Sequence, residues 1–180
     1  MKIFSQNPTL KSGGGELSRN MRKVPENSSD PYYEGAKYPD PTVCTSCGAV
    51  FHNGHWQWMD EEQLKVLKRE KQIHQDICPA CRRLRDRYPA GYLFLSGGFL
   101  KDHREEILNT IRNEAEKETM SRPLVRVMWI EEKDGEVEIA TTTDHLAKHL
   151  GNVVKKAFKG DLTVKFSDGE KLARVYWRRD

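Results

Sequence analysis

In the second half of the chain the apolar positions switch between a period of two and a period of three to four. Tyr92 to Ser96 reads as a short strand, and Asp102-His103-Arg104-Glu105 is a D-x-x-E capping signal for a helix with Ile107, Leu108, Ile111 and Ala115 on one face. Pro123 separates that helix from a strand over Leu124 to Ile130. The turn Lys133-Asp134-Gly135-Glu136 then predicts a hairpin into Val137 to Thr141, because Asp-Gly is a favoured reversal. Thr142 or Thr143 caps a second helix carrying Leu146, Leu150, Val153, Val154, Ala157 and Phe158, which Gly160 stops. Gly151 inside that helix costs about 1 kcal/mol relative to alanine and points to close packing on a sheet. Leu162 to Phe166 and Leu172 to Arg178 are two more strands around an Asp168-Gly169 turn.

The order β-α-β-β-α-β-β predicts a ferredoxin-like α+β sandwich over residues 91–180, with both helices on one face of an antiparallel sheet and one extra edge strand. Period-two alternation turns Leu93 and Leu95, Val125 and Val127, Val137 and Ile139, Val164 and Phe166, and Val175 and Trp177 toward the helices. The opposite face then carries Tyr92, Phe94, Arg126, Met128, Lys165, Arg174, Tyr176 and Arg178. Aromatic rings interleaved with cations are what a single-stranded RNA platform requires, although no RNP1 string is present. The competing reading covers this face with another protein or with the rest of the chain.

The first half has different punctuation. Residues 1–41 hold Gly13-Gly14-Gly15, five prolines and no period of either kind, which predicts a disordered arm whose tyrosines Tyr32, Tyr33 and Tyr38 dock on their own protein. Residues 42–90 hold all four cysteines, as Cys44-Thr45-Ser46-Cys47 and Cys78-Pro79-Ala80-Cys81. Two CxxC pairs supply the four thiolates that one tetrahedral zinc ion takes, and Gly48 suits the chain reversal beneath the metal. A single redox site needs only one pair, and a secreted disulfide scaffold normally carries more cysteines. The expectation is one structural Zn2+ on Cys44, Cys47, Cys78 and Cys81, in a ribbon elaborated by a helical insertion between about Asp60 and Gln75. Whether His52, His55 or His74 joins a metal site stays open at this point.

Charge adds a binding surface. Thirty lysines and arginines face 27 acids, a net charge of only +3. From His145 onward, however, nine basic residues meet four acids, so the positive charge is segregated. Lys148, Lys155, Lys156 and Lys159 lie along the polar side of the second helix, and Arg82, Arg83, Arg85 and Arg87 cluster after the second cysteine pair. With Arg174, Tyr176 and Arg178, these are the candidate nucleic-acid contacts. No apolar run approaches the roughly 20 residues that cross a bilayer, and the amino terminus lacks the apolar core of a secretory signal, so a cytoplasmic protein without a membrane partner is expected. There is no GxSxG, HExxH or phosphate-loop motif, and no nucleophile or base can be named.

The run Pro41-Thr42-Val43-Cys44-Thr45-Ser46-Cys47-Gly48-Ala49, the segment Ile77-Cys78-Pro79-Ala80-Cys81-Arg82 and the strand Gly91-Tyr92-Leu93-Phe94-Leu95-Ser96-Gly97 resemble a group of small uncharacterised bacterial zinc-ribbon proteins. Thr141-Thr142-Thr143-Asp144-His145-Leu146-Ala147 and Arg174-Val175-Tyr176-Trp177-Arg178 extend that likeness to about residues 40–180. More distantly, the knuckles and the strand-helix rhythm resemble the amino-terminal region of the nuclear-export adaptor of the large ribosomal subunit, from the nonsense-mediated decay protein family. That adaptor carries further CxxC pairs and a long export region missing here, so the resemblance implies ribosome contact and not export. The expected function is a zinc-stabilised, non-enzymatic adaptor for ribosomal RNA or the ribosome. The alternatives are a protein interaction module and a nucleic-acid-processing enzyme with its site between the modules.

Overall fold

The computed structural model describes Tyr32, residues 38–167 and residues 172–180. Most of the predicted arm and the Asp168-Gly169 turn lie outside them. Among the described residues the fold is α+β, with two mixed sheets and four helices.

The first sheet, ordered β3-β2-β1-β4, belongs to the cysteine module. Its strands are β1 (Thr42–Cys44), β2 (Val50–His52), β3 (His55–Gln57) and β4 (His74–Asp76). Between β3 and β4 lies the helical insertion, α1 (Glu61–Glu70). Asp60 caps it reciprocally with Gln63, and Leu67 is its buried residue. A second short helix, α2 (Pro79–Asp86), starts at Cys78 with Pro79 in its first turn, where a missing amide proton costs nothing.

The second sheet, ordered β6-β7-β5-β9-β8, consists of β5 (Gly91–Ser96), β6 (Val127–Lys133), β7 (Glu136–Thr141), β8 (Asp161–Phe166) and β9 (Ala173–Arg178). Two helices, α3 (Gly98–Ser121) and α4 (Asp144–Phe158), cover one face. Leu93, Leu95, Val137, Ile139, Val175 and Trp177 are all buried beneath them, as the alternation predicts. The strand beside β5 is the last one: β9 pairs with β5 in parallel, and β8 becomes the extra edge strand. The sheet is therefore mixed and not antiparallel. Val164 and Phe166 share the helix side but remain 39% and 61% exposed, because β8 is the edge strand and α4 covers it only in part, with Leu162 against Gly151.

At two places the backbone departs from the predicted pattern next to the helix-free face. Helix α3 begins at Gly98, four residues before the D-x-x-E signal. Gly97, at φ +105°, makes the tight βα turn, and a Cβ there would fall 2.1 Å from the Arg179 carbonyl oxygen. On β6, Val127 lies opposite Thr141 but Trp129 lies opposite Ala140, so Met128 is an extra residue in a bulge. The alternation flips there, so Ile130 packs on the core and Trp129 turns to the helix-free face. Val125 is buried in the core, as predicted, but Arg126 precedes the strand and turns to the cysteines.

Elsewhere the local signals match. Asp134 and Gly135 both have positive φ in the hairpin, and the Thr143 hydroxyl accepts the Leu146 amide at the start of α4. Gly151 sits against Val175 and Leu162, where a Cβ would approach to 2.7 and 3.0 Å.

Candidate metal centre and binding face

Each CxxC segment bends its chain so that backbone amides point at sulfur. Gly48 takes φ +81° and its amide bonds the Cys44 carbonyl, while the Cys44 amide returns to Ala49. The Cys78 amide donates to Cys44 Sγ at 3.3 Å, and the Cys81 amide to Cys78 Sγ at 3.4 Å. Strand β1 ends in Cys44, with Cys47 in the turn that follows, and its parallel partner β4 leads into the second pair, so the parallel register brings the two pairs together. The four sulfurs lie within 4.8 Å of one another and none is in a disulfide.

Sulfurs held about 2.3 Å from one tetrahedral ion lie about 3.8 Å apart. Cys47 Sγ and Cys78 Sγ are separated by 3.8 Å. Charge makes the same point. Burial raises the Cys44 thiol, yet the amides of Cys78, Cys47 and Ser46 outweigh it and bring it down to about 6. Burial pushes the Cys47 and Cys78 thiols up, and at Cys78 the neighbouring sulfurs push further. Four thiolates cannot share this space without a cation, so the donor set fits a tetrahedral metal ion.

Part of the compensating charge comes from outside the cysteine module, from the segment that leads into β6. Arg126 Nη2 donates to Cys47 Sγ at 3.0 Å and Nη1 to Cys81 Sγ at 3.4 Å. Its Nε donates to the Pro123 carbonyl at 2.6 Å, and its backbone amide to the Thr142 hydroxyl at 2.9 Å. The guanidinium is thus anchored on its own loop before it meets sulfur. The Trp58 indole donates to the Thr119 carbonyl at 2.7 Å, a second tie between the cysteine module and α3.

The three histidines near the knuckles do not enter this cluster. His52 is buried and its Nδ1 meets Asp40 at 2.6 Å, while His55 lies across the β2-β3 pair from it. His74 is exposed on β4. The arm does dock where it is described. Tyr38 is 7% exposed against Phe51 and Trp56, and Tyr32 bonds Asp86 and meets the Tyr88 ring in a tilted contact at 5.4 Å.

The predicted arginine cluster is partly structural. Arg83 is buried, donates to the Tyr88 carbonyl at 3.2 Å and lies over the Tyr32 ring. Arg82 pairs with Asp76 and Arg85 with Asp86. Arg87 reaches the second sheet, where it pairs with Glu131 and lies 4.1 Å above the Trp129 ring.

The helix-free face carries a row of rings across the strands. Tyr92 and Phe94 on β5 stack at 5.6 Å, and Phe94 stacks on Tyr176 of β9 at 5.1 Å. Trp129 of β6 meets Tyr92 edge-on at 6.4 Å across the small Ala140, which lies opposite both in register. Arg87 lies at the Trp129 end and Lys165 at the Tyr176 end, with Arg174 opposite Tyr92. Arg174 bonds the Ser167 hydroxyl, and Arg178 pairs with Asp180. The bulge hides Trp129 from the plain alternation. Counting back from the Asp-Gly turn, which sets Ile130 opposite Ile139, is the signal that finds it.

The lysines of α4 do not join this row. Lys155, Lys156 and Lys159 are exposed on the helix layer, the other side of the sheet from Arg174 and Tyr176. Lys148 pairs with Asp144 and lies over Phe166. The candidate contacts therefore divide among the ring-bearing sheet face, the α4 surface and the short helix α2 of the cysteine module.

Among the described residues no helix is long and apolar enough to cross a membrane. Comparison with protein-family models, curated proteins and solved structures returns no match to this chain.

Proposed function

We propose that this chain is a zinc-stabilised, non-enzymatic adaptor that binds RNA, with ribosomal RNA in the ribosome as its target. The observation that carries the reading is the row Trp129, Tyr92, Phe94 and Tyr176 on the helix-free sheet face, bracketed by Arg87, Arg174 and Lys165. Single-stranded RNA is recognised by stacking unpaired bases on rings while cations meet the phosphates. Zinc is the ion of choice for the cysteine cluster, because a d10 cation accepts four thiolates in a tetrahedron without redox chemistry. Its role is architectural: it fixes the knuckle that delivers Arg87 to one end of the row. The exposed lysines of α4 would add a second, sequence-independent phosphate contact.

Sedimentation of the tagged protein with ribosomes tests this. Co-sedimentation that disappears after nuclease treatment and weakens steeply with salt is the expected result. A second reading, a protein partner on the same face, is favoured by the partly exposed aromatic surface itself. It predicts co-sedimentation that survives nuclease and fails when Tyr92 or Phe94 is replaced.

A further inference from the structure

On the helix layer, apart from the cysteine cluster and the ring-bearing face, Glu114 and Glu118 stand one turn apart on α3 and His149 faces them from α4. His149 Nε2 lies 2.8 Å from Glu114 Oε1 and 3.8 Å from Glu118 Oε1, and all three donor atoms fall within 4.8 Å of one another. The geometry points to a second metal site, formed by Glu114, Glu118 and His149, for a divalent transition ion of the zinc or cobalt class.

Three observations carry this. Donors bound about 2.0–2.2 Å from one ion lie about 3.0–3.5 Å apart, and the two distances from the imidazole bracket that spacing. An ordinary ion pair needs one carboxylate per imidazole, yet here two converge on the same nitrogen. Each carboxylate already has a cation on its outer oxygen: Lys117 meets Glu114 Oε2 at 3.3 Å, and Arg122 meets Glu118 Oε2. Those outer contacts hold the carboxylates so that their inner oxygens turn to His149.

The third observation is space. A recess of about 360 Å³, lined by Glu118, Arg122, His145, Leu146 and His149, opens onto the cluster. It has room for water to complete the coordination. It also places His145 one turn before His149 on α4, a spacing that sets two imidazoles on one helix face. Imidazole nitrogen with carboxylate oxygen is a donor set that zinc and its neighbours accept, and Ca2+ or Mg2+, which prefer oxygen alone, do not.

Cobalt titration of the metal-free chain separates the two centres, because thiolate ligands give intense charge-transfer bands and an N/O site gives only weak visible absorption. The wild-type chain is expected to take two equivalents of Co2+, one of each spectral type. His149→Gln and the Glu114→Gln/Glu118→Gln pair should each keep the thiolate bands, which report an intact fold, and fall to one equivalent. A single equivalent in the wild type, or a second equivalent retained by both variants, overturns the proposal. If a variant loses the thiolate bands as well, proton NMR of the wild type decides: the His149 ring signals must shift as the second equivalent of paramagnetic cobalt is added, and unshifted signals overturn the site.

Discussion

The guanidinium of Arg126 stands 3.0 Å from the sulfur of Cys47, although 79 residues of chain separate them. This contact joins the segment before β6 directly to the cysteine cluster. A tetrathiolate site with a divalent ion carries net negative charge, and a half-buried cation with two N–H groups aimed at its sulfurs offsets that charge where water cannot.

Arg126→Ala should therefore weaken metal binding by about 10- to 100-fold, the range typical of outer-shell partners of a metal. Arg126→Lys should recover only part of this, since one ammonium cannot reproduce the fork that reaches Cys47 and Cys81 together. Competition with a chromophoric chelator measures both. Equal affinities for wild type and Arg126→Ala would show that the arginine does not tune the site.

Metal removal should act on one part of the molecule. The buried cluster of the knuckle is Cys44, Ala49, Cys78, Ala80 and Cys81, so the ligands themselves are most of its core. The carboxy-terminal core has sixteen buried residues of its own. Chelation should open residues 42–90 to proteolysis and leave residues 91–180 resistant, because binding energy at such a site is folding energy. Limited proteolysis followed by mass spectrometry reads the pattern, and equal resistance of the two parts after chelation would contradict it.

Gly151→Ala tests the packing of α4 on the sheet. Alanine favours a helix by about 1 kcal/mol over glycine. Its Cβ, however, would lie 2.7 Å from Val175 and 3.0 Å from Leu162. Overpacking of this kind costs about 1–3 kcal/mol, so the variant should be the less stable protein in urea denaturation. A raised midpoint would mean that the helix stands further from β9 than described.

Reversing Lys155, Lys156 and Lys159 to glutamate should lower affinity for ribosomes and flatten its salt dependence. Each phosphate of a single strand that a lysine ceases to neutralise takes about 0.7 off the slope of log K against log salt. A salt titration of wild type and variant checks this, and parallel slopes would remove α4 from the interface.

Much of this architecture can be read from the chain. The paired CxxC spacing picks out the four cysteines that cluster, the Asp134-Gly135 reversal the hairpin, the pair Thr142 and Thr143 the start of α4, and Gly151 the close helix-sheet approach. What escapes is whatever depends on tertiary register. Arg126 reads as one more outward residue of a strand until the turn at Pro123 to Arg126 is seen to aim it at sulfur. Trp129 is not singled out by the alternation that places Val125 and Val127 toward the helices, because the Met128 bulge reverses it. The last strand reads as an edge, and nothing local reveals that β9 slips between β5 and β8. The pairing of His149 with Glu114 joins residues 35 positions apart, which no spacing rule detects.

The most direct test of the account is fluorescence anisotropy of a labelled single-stranded oligoribonucleotide at low salt, titrated with the wild type and with Tyr92→Ala/Tyr176→Ala. Stacking contributes about 1–3 kcal/mol per base, so removing both rings should weaken binding at least tenfold, while chelator competition shows the metal centre unchanged. Equal affinity of the two proteins, or no binding by the wild type, would contradict an RNA-binding role for the sheet face.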